Sequence, residues 1–314
     1  MKKIIAAILI IGTIMTAATA IDNPSPALDA KLAEFAGQVA DFMPRATAGT
    51  DLWADAHIGN ILPLSGLPHL GAGFTAGAAL IPTDFVSTFN EAFTAPANEW
   101  KSFPLPAVSV DARIGGFFLP FDVGVHVMAL DQDEPVLNDV WGMTLDVTGF
   151  VSYGADVRLA LIQENVILPA ISIGVGYTHT EGTFDFTAKQ LISLGNKSVR
   201  SNITFNTDIY TASVQVSKKI LFLTPFAGAK AYVQNGTYWY GGGYQNIDNH
   251  SHGTISQGTI NKEFSFDSLT PNDIKYSVFA GLGVDFLIIQ TTVGVSYDFT
   301  DQSWAGSLSI HVKI

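Results

Sequence analysis

Apolar and polar residues alternate along most of the chain, in runs of about ten residues, the length a tilted strand needs to cross the hydrocarbon layer. Val108, Val110, Ala112 and Ile114 alternate with Ser109, Asp111, Arg113 and Gly115. Val123, Val125, Val127 and Ala129 alternate with Asp122, Gly124 and His126. The same period of two runs through Tyr153–Leu161, Ile171–Thr178, Tyr276–Phe286, Val293–Phe299 and Trp304–Ile314. Soluble sandwiches also alternate, but their strands average five or six residues. Aromatic residues collect at the run ends: Phe117, Phe118, Phe121, Phe222, Phe226 and Phe286 form one set, and Tyr177, Tyr276, Tyr297, Phe299 and Trp304 the other. Such girdles belong at the two headgroup levels of a membrane barrel. The chain also closes inside its last alternating run.

The N-terminal fifty residues follow other patterns. Met1-Lys2-Lys3, an apolar stretch from Ile4 to Met15 and Ala18-Thr19-Ala20 have the layout of a secretory signal peptide, predicting a leader over 1–20. Between Pro24 and Met43, Leu28, Leu32, Phe35, Val39 and Phe42 recur at spacings of three and four, which predicts a short amphipathic helix. That helix over 21–50 is expected either to plug the lumen or to rest on the periplasmic rim. The barrel is expected to occupy 51–314. Tight or fairly short connections near 61–69, 119–120, 163–168, 219–224 and 288–290 face mostly long ones at 82–106, 131–149, 180–202 and 234–273, with only 301–302 short on that side, the usual asymmetry of short periplasmic turns and long outer loops. About eleven strands are clear. Even counts are the rule, so a dozen is expected, within 10–14. The fold class is all-β: a transmembrane antiparallel barrel.

Composition supports a membrane location. The chain is 47% hydrophobic but 14% charged, against about 25% in soluble proteins, yet no mature apolar run is long enough for a helical span. With no cysteine there is neither a disulfide framework nor a lipoprotein acylation site. A net charge of −12 argues against nucleic acid as a partner.

Side chains at i and i+2 of a strand share a face, so Asp111 and Arg113, and Asp156 and Arg158, are expected to point inward. With Asp122, His126, Asp285, Asp298, His311 and Lys313 they predict a charged lumen wall: either mutually satisfied ion pairs or a solute-selecting constriction. His250 and His252 read as a solvated loop tip, and Tyr238-Trp239-Tyr240 as an outer headgroup cluster. Asp131, Asp133, Glu134 and Asp139 lack the fixed spacing and glycine of a calcium loop. No nucleophile elbow or phosphate loop is present. No metal, cofactor or catalytic residue is expected.

The chain resembles outer-membrane β-barrels of diderm bacteria and, in some features, FadL-like hydrophobic-solute transporters of the spirochaete type. The resemblance rests on Asn23-Pro24-Ser25-Pro26 with its helix ahead of a barrel, on Trp53–Gly59, on Val110–Gly124 and on Val216–Lys219. It implies an N-terminal hatch in the lumen and passage of hydrophobic molecules. The length is short for a fourteen-stranded member. The expected function is passive uptake of a small or hydrophobic solute; a surface-exposed structural or adhesive barrel and a general diffusion porin are the alternatives. Expected partners are outer-membrane lipid, the barrel-assembly machinery, periplasmic chaperones and the solute.

Overall fold

A computed structural model of the chain describes residues 52–58, 68–82, 102–116, 120–130, 137–140, 143–191, 197–246, 252–262, 273–300 and 302–314. The leader, the expected helix with Leu28, Leu32, Phe35, Val39 and Phe42, and Phe117, Phe118 and His250 lie outside the described residues.

Twelve strands are described: β1 (His69–Pro82), β2 (Ser102–Gly115), β3 (Phe121–Leu130), β4 (Leu137–Val140), β5 (Met143–Ile162), β6 (Ala170–Leu191), β7 (Lys197–Ser217), β8 (Leu223–Asn246), β9 (His252–Lys262), β10 (Lys275–Phe286), β11 (Ile289–Asp298) and β12 (Ser303–Lys313). All pairings are antiparallel. The sheet closes where β1 meets β12, from Gly71↔Lys313 to Ala79↔Ala305. Among the described residues ten strands make the closed ring, within the expected 10–14 and two short of the dozen. β4 pairs with the upper part of β5 and β9 with the upper part of β8, while the lower part of β8 pairs directly with β10. The reason is local: period two continues above the membrane, where a strand can pair without joining the ring.

The closed sheet satisfies its own backbone, and its outer face is apolar. Val110, Val125, Val157, Val175, Val214, Val293 and Ile310 are exposed on that face. The alternate positions Asp111, Arg113, Asp122, Arg158, Gln215, Gln290 and His311 are buried. Polar inside and apolar outside is the arrangement of a barrel immersed in lipid. The connections at 116–120, 163–169, 218–222 and 287–288 fall at one end, as a periplasmic end requires.

β5 to β8 run for 20, 22, 21 and 24 residues, about twice the crossing length. Their upper halves form a wall above the membrane, and there the two faces exchange character. On β7 the outward residues Tyr210, Ala212, Val214 and Val216 give way upward to Asp208, Asn206 and Thr204, while the inward Gln215, Ser213 and Thr211 give way to Ile209, Phe205 and Ile203. Tyr153, Tyr177 and Tyr210 mark the boundary, with Tyr177 Oη donating to Asp208 at 2.6 Å. Water replaces lipid outside the wall there, and the inner face becomes a core.

Three further expectations change. The loops expected at 180–202 and 234–273 are largely β6, β7, β8 and β9. Tyr238 and Tyr240 are buried on the wall's inner face, and Trp239 faces outward. Phe226, expected in a girdle, points inward and is 4% exposed beside Phe279. It lies on the same face as Thr224, two residues away, which sequence alone assigned no direction.

Candidate functional site

Leu52–Ile58 alternates like a strand: Leu52, Ala54, Ala56 and Ile58 against Trp53, Asp55 and His57. It pairs with no strand of the ring; the first strand is His69–Pro82. The segment instead crosses the lower lumen as a plug whose chain bends through Ala54–His57. Side chains of the wall meet its backbone. Gln215 Nε2 donates to the Trp53 carbonyl at 2.7 Å, and Arg158 Nη1 to the Asp55 carbonyl at 2.9 Å. The Ala56 N–H donates to Ser217 Oγ at 2.9 Å and the Ile58 N–H to Asp122 Oδ2 at 2.8 Å. Lys313 Nζ lies 2.7 Å from Asp55 Oδ2. These contacts come from β3, β5, β7 and β12, so the plug is tied to widely separated parts of the ring.

Its side chains are fitted to the wall as closely. Trp53 stacks on His311 at 3.9 Å between ring centroids, with the Arg113 guanidinium 5.6 Å from its ring. Leu52 and Ala54 form an apolar cluster with Phe226 and Phe279. Glycine makes the approach possible. A Cβ at Gly115 would overlap the Ile58 carbonyl oxygen, and one at Gly283 would lie 2.6 Å from the Ala54 Cβ.

Above and around the plug lies the charged wall. Asp122, fully buried, accepts four hydrogen bonds: from Arg113 Nη1 at 2.5 Å, from Arg158 Nε and Nη2 at 2.9 Å each, and from Ile58. Arg113 also reaches Asp156, with Nη2 2.7 Å from Oδ1. That reach passes over Gly124, which is paired with both Arg113 and Asp156; a Cβ there would overlap Nη2. Two arginines thus share two carboxylates. Such a buried network is costly to break, because removal of one member leaves its partner desolvated and unpaired.

The expected wall residues do not form one cluster. Asp111 pairs not with Arg113 but with His311, 3.1 Å away, and accepts from Thr75 at 3.3 Å. His126 lies 3.4 Å from Thr178 Oγ1. Asp285 is at the periplasmic mouth, where Lys313 at 2.9 Å, Lys219 at 3.2 Å, Thr224 and Gln290 surround it. Asp298 is at the opposite end and accepts from Tyr232. Trp53, Asp55, Gln215 and Ser217 complete the plug contacts and were not among the expected lumen residues.

Two cavities flank the plug. One of about 90 Å³ above it is lined by Trp53, Arg113, His126, Asp156, Gln215 and Lys230. One of about 280 Å³ at the mouth is lined by Asp55, His57, His69, Glu164, Lys219 and Lys313. Among the described residues no three His, Asp or Glu side chains converge to hold a metal ion. The arrangement can bind and orient polar groups and occlude a passage.

No family model matches the chain, and no curated protein matches it. Among solved structures it is similar to the translocator domain of the autotransporter NalP from Neisseria meningitidis, at 9% identity over 91% of this chain and 97% of that one, with a TM-score of 0.38. It is similar to a major outer membrane protein from Thermus thermophilus, at 11% identity over 78% and 99%, with a TM-score of 0.36. A Pseudomonas aeruginosa FadL homologue overlaps at 8% identity over 78% and 89%, with a TM-score of 0.27. At this looseness no role transfers from any of them. The outer-membrane β-barrel fold of this chain rests on its own closed sheet and lipid-facing surface.

Proposed function

We propose that the chain sits in the outer membrane of a diderm bacterium and passes a small or hydrophobic solute through a lumen that its own N-terminal part keeps mostly shut. The observation that carries this reading is the Leu52–Ile58 plug. Ten strands enclose more space than their side chains fill, since about eight already achieve a filled interior. The plug closes that space by side-chain contacts to a polar wall, a kind of contact that water or a polar solute can replace. FadL-like transporters are the pattern it follows. Asp111, Arg113, Asp122, His126, Asp156, Arg158, Asp285 and Asp298 are proposed as the lumen groups a solute passes, with no catalytic role. Lipid, the assembly machinery and periplasmic chaperones are the proposed partners.

A surface-display role is the second reading, and the tall wall of β5–β8 favours it. Planar-bilayer conductance and uptake test the two. The intact protein should carry little current, and a chain lacking 23–58 should carry a large steady one. A large, weakly selective current from the intact protein overturns the occluded reading in favour of a porin. Unchanged uptake of hydrophobic solutes after gene deletion favours display.

A further inference from the structure

β6 and β7 change their outward chemistry at one level. Above Tyr177 the outward positions of β6 are His179 and Glu181, and above Tyr210 those of β7 are Asp208 and Asn206. Lipid therefore ends no higher than these two tyrosines. Below them each strand keeps only Ala170–Tyr177 or Tyr210–Ser217, shorter than the about nine to eleven residues of a crossing strand. Each stretch covers about 23 Å along the strand. At a barrel's strand tilt that is about 18 Å in height, while the apolar band of such a barrel is about 25 Å tall. Some 7 Å of the band, roughly, lies below the strand ends.

The turns reach into that space, and their tips are apolar. Val166, Ile167, Leu221 and Leu287 are 84–97% exposed, with Phe222 and Ile288 exposed beside them. Leu221 and Leu287 each open a two-residue hairpin turn in left-handed backbone, at φ 59° and 56°. Glycine, asparagine or aspartate usually takes such a position; in the outer β11–β12 connection it is the polar Gln302. The turn backbones are also satisfied from within. Asn165 Oδ1 accepts the N–H groups of Ile167 and Leu168 at 2.9 Å and 2.8 Å. Lys218 Nζ donates to the Asn165 carbonyl and, at 3.2 Å, to that of Leu168. The Phe222 carbonyl accepts the Asp285 N–H at 2.8 Å, and the Ile288 carbonyl accepts the Lys313 N–H at 2.7 Å. Water would satisfy such groups unaided, and lipid would not. Lys218 and Glu164 lie 3.6 Å apart, paired as ionisable groups within a membrane are.

We propose that the turns 163–169, 218–222 and 287–288 are sunk in the periplasmic leaflet, with Val166, Ile167, Leu221, Phe222, Leu287 and Ile288 among its acyl chains and not in periplasmic water. Three observations agree on lipid as the occupant. The strands fall short of the apolar band by about the depth of a turn. Large apolar side chains hold backbone positions that polar or small residues usually take. Carbonyls and N–H groups of the turns are bonded to neighbouring turns and strands. A periplasmic protein is the competing occupant, and it would explain the apolar tips without the missing height. The depth goes beyond the transport reading, since a display barrel or a porin with these turns would sit equally low.

The chain has no cysteine, so a single introduced one carries a nitrobenzoxadiazole label at one place. Ile167→Cys and Leu221→Cys report the tips, Val175→Cys the lipid face and Asn206→Cys the water-facing wall. The full chain is folded into vesicles of phosphatidylethanolamine and phosphatidylglycerol, and heat-modifiable gel migration selects assembled barrels. Labels at positions 167 and 221 should emit near the wavelength of position 175. Phospholipid with a nitroxide high on its acyl chain should quench them, and iodide should quench them several-fold less than the label at position 206. Emission and iodide access like those of position 206 overturn the proposal. The same labels are then compared in outer membranes. Tips open to iodide in the vesicles and shielded only in outer membranes are covered by a periplasmic protein, which overturns it as well.

Discussion

The Asp122 carboxylate accepts the backbone N–H of Ile58 at 2.8 Å while the same two oxygens hold Arg113 and Arg158. One acidic side chain therefore ties the plug to the ion network of the wall. Asp122→Asn keeps the volume but removes the charge that balances two buried arginines. Breaking such a network costs about 3–5 kcal/mol. The variant should assemble, lose its heat-modifiable migration at a clearly lower temperature, and show more frequent channel openings. Unchanged melting and conductance would mean that Asp122 holds neither the arginines nor the plug.

Gly124 provides the space through which Arg113 reaches Asp156. Gly124→Ala drives a methyl into Nη2 and puts it 2.7 Å from Asp156 Oδ1. The expected outcome is loss of that ion pair. Since both changes then act on one contact, Gly124→Ala and Asp156→Asn together should destabilise less than the sum of the two. Denaturation in detergent of the two single variants and the double variant checks this; strict additivity would separate the glycine from the ion pair.

The membrane-spanning faces were legible in the sequence because lipid outside and water inside impose opposite chemistry on successive residues: Val157 faces lipid and Arg158 the lumen. The wall was not, because on β7 the apolar positions pass from even numbers (Tyr210, Ala212, Val214) to odd ones (Ile209, Phe205, Ile203) within one unbroken strand. Strand alternation keeps its period when its solvent changes. The period of two that begins at Asp51 placed Leu52–Ile58 within the barrel range, and it was misleading for a related reason. A bent segment can carry alternating residues as well, and its backbone partners, here side chains of the wall and not a neighbouring strand, distinguish a plug from a strand. The split of Asp111 from Arg113 follows from register, which pairs Asp111 with His126 and Arg113 with Gly124.

The face assignment can be tested on adjacent residues of β5. Val157→Arg places a cation on the lipid face near mid-membrane, at a cost of about 2–4 kcal/mol. Asp156→Asn changes the lumen and leaves the lipid face untouched. Folding into lipid vesicles should be strongly impaired by the first and nearly normal for the second. Equal impairment would show that these faces are reversed or that the segment does not meet lipid.

Trp53 offers the sharpest test of the plug, because it can be displaced from the wall side without altering it. A Cβ at Gly71 would lie 2.6 Å from Trp53 Cη2 and 2.8 Å from Cζ3, so Gly71→Val should push the indole off His311. The valine points into the lumen, so the lipid-facing residues of β1 stay as they are. Gly306 is the matched control: it is a strand glycine on the lipid face, with its nearest atom 3.8 Å from an added Cβ, and Gly306→Ala should change nothing. Trp53→Ala removes the same stack from the plug side and, as a buried aromatic truncation, should cost about 3–5 kcal/mol. If the plug gates the lumen, Gly71→Val and Trp53→Ala raise single-channel conductance to a similar level while the barrel still folds, and the double variant adds little. If both leave conductance at the level of the intact protein, Leu52–Ile58 is a structural filler of the barrel and the transport reading loses its support.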